Sequence, residues 1–186
     1  GGYLFCPTAG IFNYMFDEDL TSLYPSIIMS LNIGKETLVG RIVMPDEKVM
    51  VENKEIFNCR YALNDLKEMD QERSVLVQNA KRQNTNIKIK DLIDLIEGEN
   101  LAVSANGVMF RTDFDSVLKT ILAKWFDERV VFKNKMKKAY KAGNKELGEL
   151  MHLKQHTMKI LLNSLYGATA LGSFRYGNVI LSEAIT

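Results

Sequence analysis

The segment DLTSLYPSII, residues 19–28, is the centre from which the rest of this chain can be interpreted. Bulky residues before it predict a strand, and the apolar residues that end it predict the buried side of a short helix. Thr21 or Ser22 can cap that helix, and Pro25 suits its first turn, where a missing backbone N–H costs little. The segment therefore predicts a strand-to-helix turn that carries the carboxylate of Asp19.

This turn brings together two kinds of ligand-binding group. Asp19 offers hard oxygen ligands of the kind that Mg²⁺ prefers. The backbone N–H groups of Ser22, Leu23 and Tyr24 have no partner within the first helical turn, and such groups suit a phosphate. An acidic residue before a helix is in most proteins only a cap. The alternative predicted by this segment is a site for a metal ion and a polyphosphate.

Composition excludes several classes of protein. The 186 residues, 46% apolar and 25% charged, are typical of a soluble globular protein with one domain or two small lobes. No apolar run approaches the length of a membrane span, and no signal peptide is visible. Cys6 and Cys59 match no metal or redox spacing, so a reducing compartment is expected. The chain starts at Gly1 without Met and ends in an apolar segment, and we therefore expect a fragment of a longer protein.

Periodicity predicts strands followed by a pair of long helices. A helical apolar stripe covers residues 114–140 and another covers 145–166, and the short break between them requires antiparallel packing. Asn106-Gly107 marks a hairpin over residues 103–110. The core side of the second long helix is predicted to consist of Leu147, Leu150, Leu153, Met158, Leu161 and Leu165. The shorter predicted elements are strands at 3–5, 11–16, 37–44 and 49–51, helices at 22–31, 63–69 and 92–96, a polar loop at 79–86, a turn at 174–177 and a truncated element from 179.

The long helices carry most of the local positive charge. Residues 119–159 contain eleven basic and four acidic residues, an excess of seven, although the whole chain has a net charge of only +1. Arg129 and Lys133 are four residues apart and share a helix face, as do Lys159 and Asn163. Two facing rows of this kind suit a triphosphate. For the remaining cations a solvated surface is the expected role, most clearly for Lys135, Lys138, Lys141 and Lys145.

His152 and His156 are also four residues apart, as in helical zinc sites. The glutamate of an H-E-x-x-H motif is missing, because Leu153 stands in its place. We therefore do not expect these two histidines to bind a metal.

Three motifs of the chain resemble those of family B DNA polymerases. Residues 19–28 resemble motif A, and KILLNSLYG at 159–167 resembles motif B, K-x-x-x-N-S-x-Y-G. Arg129 and Lys133 fall where the family carries an R-x-x-x-K pair on the first fingers helix. The motifs follow the family's order, and GGYLFCP at the start of the chain fits the family's G-G-Y-x-x-x-P run. The resemblance is closest to phage-type replicative polymerases and poorest over residues 45–100, a structural insert. Asp17 and Glu18 depart from the apolar residues usual before motif A, and we expect them to face solvent.

The resemblance implies that the chain helps to add dNTPs to a primer 3′ end by two-metal phosphoryl transfer. Asp19 is then the catalytic carboxylate and a metal ligand, assisted by the backbone carbonyl of Leu20. The Tyr24 ring lies under the sugar and excludes a ribose 2′-hydroxyl. The implied nucleotide-binding residues are Ser22, Leu23, Tyr24, Arg129, Lys133, Lys159 and Asn163, and the implied base-pair pocket residues are Tyr166 and Gly167.

The resemblance also implies an α+β fold with part of an antiparallel palm sheet and a two-helix antiparallel fingers hairpin. Residues 1–113 are then a partial palm with an insert, 114–167 the fingers, and 168–186 a truncated return to the palm. Two Mg²⁺ ions are the implied cofactor, with one set of ligands missing from this chain. The implied partners are primer-template DNA, dNTPs, the remaining exonuclease, palm and thumb regions, and a sliding clamp, with no membrane. The implied location is the cytoplasm of a bacterial host if a phage encodes the protein.

One departure limits these expectations. The family's second metal carboxylate lies in a D-T-D motif, and this sequence contains none, so we do not expect the chain by itself to extend a primer. Two alternatives stay open. One is a non-catalytic nucleic-acid-binding helical hairpin whose basic face follows phosphates. The other is a subunit of a split polymerase that is complete only with a partner chain.

Overall fold

The computed structural model describes residues 10, 13–14, 22–43, 48–51, 54–57 and 61–186. Asp17, Glu18, Asp19, Leu20, Thr21, the two cysteines and the strand predicted at 3–5 lie outside these residues. Of the strand predicted at 11–16, residues 13 and 14 are described; they form a bend in which Tyr14 has a φ of 66°, so the strand prediction is wrong at these two positions. The helices are α1 Leu23–Ser30, α2 Leu63–Glu68, α3 Ile89–Gly98, α4 Val117–Lys141, α5 Lys145–Thr169 and α6 Val179–Ile185. The strands are β1 Leu38–Val43, β2 Lys48–Val51, β3 Lys54–Phe57, β4 Ser74–Asn79, β5 Asn84–Lys88, β6 Ala102–Val103 and β7 Val108–Phe110.

Five strands form an antiparallel sheet in the order β5-β4-β1-β7-β6, while β2 pairs with β3 in a separate hairpin. The central strand is β1, in which Gly40 lies opposite Asn79 on one side and Met109 on the other. The predicted hairpin at 103–110 is confirmed by β6 and β7, and Gly107 takes a φ of 79° in its turn, where glycine has no steric penalty. The predicted α+β class is thus confirmed.

Both faces of this sheet are covered by apolar side chains. Successive residues of a strand point to opposite faces. In β7, Val108 and Phe110 join a core formed with α1, α4, α5 and α6, whereas Met109 joins a second core formed with α2 and α3. The helices α1, α4 and α5 therefore meet on one face of the sheet, and the candidate site lies where they converge.

The loop predicted at 79–86 is too long. Residue 79 is the last residue of β4 and residues 84–86 belong to β5, so the turn of this hairpin covers only residues 80–83. The strand β5 is an edge strand whose side chains are mostly exposed, so it lacks the apolar alternation that identifies half-buried strands. The strand β4 pairs with the central strand, and α3 buries Ile89, Leu92 and Ile96. The insert is therefore part of the sheet and of the second core.

The predicted pair of long helices is confirmed, with α4 and α5 packed together and joined by residues 142–144. The helix α5 runs through Gly167 to Thr169, beyond its predicted end at 166. Its predicted core side is wrong at Leu147, Leu150, Leu153 and Leu161, which are 38–63% exposed. The buried positions are instead Gly148, Met151, Leu162, Leu165 and Thr169.

A close approach of the two long helices explains this shift. A Cβ atom at Gly148 would lie 2.5 Å from the Tyr140 ring, so the absent side chain makes room for the tyrosine. Apolar periodicity cannot identify a buried position that is occupied by glycine. Among the described helices, none is both long and apolar enough to cross a membrane.

Asn32 joins the end of α1 to the start of α4. It is 2% exposed and adopts a φ of 54°, which asparagine tolerates better than most residues. Its Nδ2 donates to the carbonyls of Arg111 and Phe114, both at 2.7 Å, and its Oδ1 accepts from the N–H of Ser116 at 2.8 Å. The Ser116 hydroxyl also donates to the Ile33 carbonyl at 3.0 Å. These bonds set the position of α1 relative to α4.

Candidate functional site

The candidate site begins at Ser22, the residue before α1. Ser22 occupies the predicted N-cap position, but with φ 54° and ψ 51° its backbone is left-handed, and its side chain accepts no capping hydrogen bond. Of the two caps predicted, Ser22 is therefore wrong, and Thr21 lies outside the described residues. A non-glycine residue in this conformation costs about 1 kcal/mol or more. The first backbone N–H groups of α1 still lack an intrahelical partner, since the first helical bond runs from Ser26 N–H to Ser22 O at 3.0 Å.

The Ser22 hydroxyl forms a hydrogen bond with Arg129 of α4 instead of capping the helix. The Arg129 side chain donates through Nη1 to Ser22 Oγ at 3.3 Å, across 107 residues of sequence. Its Nε is buried and has no hydrogen-bond partner among the described residues. A buried charged donor without a partner is costly, and such groups are found at sites that bind a charged ligand. The guanidinium therefore lies beside the start of α1, and its Nε–H can still donate a hydrogen bond to a ligand.

Two aromatic rings form a second link between these elements. Tyr24 of α1 stacks on Tyr166 of α5, with ring centroids 4.3 Å apart and planes at 23°. Both rings are partly buried and pack against the core under the helices. Stacked aromatic pairs contribute about 0.5–1.5 kcal/mol beyond their burial. The pair holds the start of α1 against the C-terminal part of α5.

The other predicted nucleotide-binding side chains lie on the exposed parts of the hairpin. Lys133, Lys159, Asn163 and Gly167 are all exposed. Lys159 lies seven residues before Tyr166 on α5, which is about 10 Å along a helix. The structure thus brings Ser22 and Arg129 into one contact and Tyr24 and Tyr166 into another. Among the described residues, no hydrogen bond or ion pair joins the exposed group to α1.

The metal-binding half of the predicted site lies outside the described residues, since it consists of Asp19 and the Leu20 carbonyl. Among the described residues, no cluster of three or more His, Cys, Asp or Glu side chains could hold a metal ion. His152 and His156 stack with ring centroids 6.2 Å apart, without a third ligand in that part of the chain. The described residues therefore contain the predicted phosphate-binding groups but not the predicted metal ligands, and both roles stay predictions.

Comparison with known proteins then decides the family. The family model for DNA polymerase family B matches residues 1–186. The chain belongs to DNA polymerase family B. A DNA-directed DNA polymerase of Escherichia phage RB69 is 27% identical over 203 residues, which cover 100% of this chain and 22% of the phage protein. The chain therefore spans about a fifth of the length of this family B relative.

Membership of family B covers the insert as well as the motifs. The match extends through residues 45–100, where the motifs are absent and the resemblance to the family is poorest. Ser22 and Tyr24 belong to the motif A segment, Arg129 to the fingers-type pair and Tyr166 to the motif B segment. The two contacts described above thus connect all three family B motifs. Asn32 belongs to none of these motifs, and the sequence signal that could have pointed to it is an asparagine directly after a predicted helix.

Proposed function

We propose that this chain forms part of a DNA-directed DNA polymerase, a nucleotidyltransferase of the phage replicative type that adds dNTPs to a primer 3′ end during DNA replication. The family B match over the whole chain and the phage relative support this proposal. Primer-template DNA and dNTPs are the proposed substrates. The proposed partners are the remaining polymerase regions and a sliding clamp. The proposed location of the protein is the cytoplasm of a bacterial host.

The contact between Arg129 Nη1 and Ser22 Oγ is the single observation that carries the proposed site. It joins the start of α1, whose first N–H groups have no intrahelical partner, to a guanidinium whose buried Nε has no partner within the described part of the chain. Guanidinium and backbone N–H groups together suit the β- and γ-phosphates of a nucleotide. We propose that a triphosphate replaces the Ser22 hydroxyl as the partner of Arg129.

The remaining roles follow from position on the helices. Lys159 lies about two turns from Tyr166 on α5, and we propose that it binds the triphosphate together with Arg129, with Lys133 secondary. Tyr24 is proposed to lie under the sugar, and its stacking on Tyr166 supports a fixed ring orientation. Asn163, Tyr166 and Gly167 are proposed to line the nascent base-pair pocket, and Leu23 to contribute a backbone N–H.

The proposed metal site rests on sequence alone. Asp19 and the Leu20 carbonyl stand two to three residues before Ser22 and offer hard oxygen ligands. Divalent metal ions bound there would activate the attacking primer hydroxyl and stabilise the leaving pyrophosphate. The chain's described residues bind and orient the triphosphate.

We further propose that the 186 residues do not extend a primer by themselves. The sequence contains no D-T-D motif, and Asp19 cannot hold two metal ions in the family's geometry. We propose that residues 1–113 and 168–186 belong to the palm and 114–167 to the fingers. The missing carboxylates would come from further sequence or, in a split polymerase, from a partner chain. Primer extension by the purified chain above an Asp19→Ala control would contradict this proposal.

Nucleotide affinity tests the proposed site directly. We expect Lys159→Ala and Arg129→Ala each to weaken dNTP binding about tenfold or more, the effect of losing one charge-assisted contact. Lys135→Ala is the matched control, because Lys135 is an exposed α4 lysine with an expected solvated role. Titration calorimetry with dNTP and Mg²⁺ gives the affinities. Equal dNTP affinities in Lys159→Ala, Arg129→Ala and Lys135→Ala would contradict the site.

The same variants distinguish the non-catalytic alternative. A helical hairpin that follows DNA phosphates would lose DNA affinity in Lys135→Ala and Lys159→Ala alike, with no selective effect on dNTP. The contact of Arg129 with Ser22 favours the polymerase site, since a hairpin that only follows DNA does not require it.

A further inference from the structure

A cleft on another part of the molecule is lined by two arginines. It lies between β1, the β4–β5 turn and the start of α6, and its volume is about 400 Å³. A narrower recess of about 60 Å³ continues from it toward Leu38 and Gly40. None of its lining residues belongs to the motifs of the proposed nucleotide site. The polar and charged residues around the opening are Arg41, Gln78, Arg82, Asn178 and Glu183.

Arg41 is held in place by a neighbouring strand. It lies on β1, and its Nε donates to Gln78 Oε1 of β4 at 3.2 Å. Gln78 is itself held by Asn84 of β5, with Nε2 donating to Oδ1 at 3.1 Å. This chain of bonds across three strands restricts the guanidinium of Arg41, which lines the cleft. A restricted guanidinium loses less entropy when it binds a ligand.

Arg82 is displayed by a rigid turn. The Asn79 side chain accepts from the backbone N–H groups of Lys81 and Gln83, at 2.9 and 3.0 Å, and Ala80 N–H bonds to the Val39 carbonyl of β1 at 3.0 Å. Within this turn Arg82 has a φ of 62°, a conformation in which glycine or asparagine is favoured. An arginine at such a position is unfavourable for the backbone, and its side chain lines the cleft.

The charges around the cleft favour an anion. Two arginines line it against the single carboxylate of Glu183, which is exposed. Within the described part of the chain, no carboxylate forms a salt bridge with Arg41 or Arg82. Asn178 and Gln78 add amide groups, which can donate to an anion. Paired guanidinium groups bind phosphate oxygens with two donors each.

We propose that this cleft binds a phosphate group, carried either by a nucleic-acid backbone or by a free polyphosphate. Arg41 and Arg82 supply the charge, and the rigid β4–β5 turn sets the distance between them. The cleft is separate from the proposed nucleotide site at α1, α4 and α5. The two proposals can therefore be tested independently.

Arg82→Gly is the most informative variant, because glycine favours the positive φ and the turn should fold at least as well. Arg41→Gln removes the second charge. Lys90→Gln is the matched control: Lys90 is exposed and lies on α3, two residues beyond the end of β5 that is farthest from the turn, and its substitution removes the same charge. The probes are a short labelled oligothymidylate and inorganic pyrophosphate, each titrated at several salt concentrations.

We expect Arg82→Gly and Arg41→Gln each to weaken one of the probes about tenfold and to lower the salt dependence of its binding by about one phosphate contact. Loss of oligothymidylate binding identifies a nucleic-acid strand as the source, and loss of pyrophosphate binding identifies a free polyphosphate. Affinities for both probes that match those of Lys90→Gln would overturn the proposal.

Discussion

Replacing Asn32 by alanine should destabilise the chain by about 4 kcal/mol. The change removes three hydrogen bonds, to the Arg111 and Phe114 carbonyls and from the buried Ser116 N–H. Each contributes about 1 kcal/mol net, and more where the abandoned partner is buried. Alanine at a φ of 54° costs about 1 kcal/mol in addition. The loss should be large because Ser116 is 0% exposed and water cannot replace the amide.

Two further variants separate these contributions. Asn32→Gly removes the same bonds but suits the positive φ, so we expect it to cost about 1 kcal/mol less than Asn32→Ala. Asn100→Ala is the matched control, since Asn100 also has a positive φ, of 49°, but is exposed and its side chain donates only to Thr112 Oγ1. We expect it to cost about 1 kcal/mol.

Urea unfolding followed by tryptophan fluorescence gives these free energies. Trp125 is the single tryptophan, and it packs against the core that contains α1. Asn32→Ala should also weaken dNTP binding, because α1 carries Ser22 and Tyr24. A free energy of unfolding for Asn32→Ala as high as that of Asn100→Ala would refute the role of Asn32 in joining α1 to α4.

Two other predictions concern the sheet and its surface. A Cβ at Gly40 would lie 2.5 Å from the Gln78 carbonyl oxygen, so Gly40→Ala should destabilise the protein by about 1–3 kcal/mol. A Cβ at Gly98 would meet no atom within 4 Å, so Gly98→Ala should stabilise the protein by up to about 1 kcal/mol. Thermal unfolding compares the two variants, and equal melting temperatures would contradict the close approach at Gly40. The hydrogen bond from Lys88 holds the pKa of Glu72 below its usual value, so the small stabilisation by this exposed pair is present above the unfolded-state pKa and is lost as pH falls through the folded one. NMR titration should show the pKa of Glu72 rising in Lys88→Gln, and an unchanged value would count against the bond.

Those features of the candidate site that depend on local sequence could be predicted. The motif residues, the helix after residue 22 and the spacing of Arg129 and Lys133 can all be read from the chain. The hydrogen bond between Arg129 and Ser22 cannot, because it joins residues 107 positions apart and depends on how α1 packs against α4. The left-handed backbone of Ser22 was likewise not predictable, since serine before a helix normally caps it. The roles of Asp19, Lys159 and Asn163 stay predictions.

Residue identity predicts the family motifs and, through the family resemblance, the α+β class, and apolar spacing predicts the two long helices. The remaining features follow from tertiary packing. It placed polar β5 at the sheet edge, buried Gly148 against Tyr140 and used Asn32 to join two helices. These features depend on contacts between distant parts of the chain, where packing and hydrogen bonding outweigh the local preference of a residue.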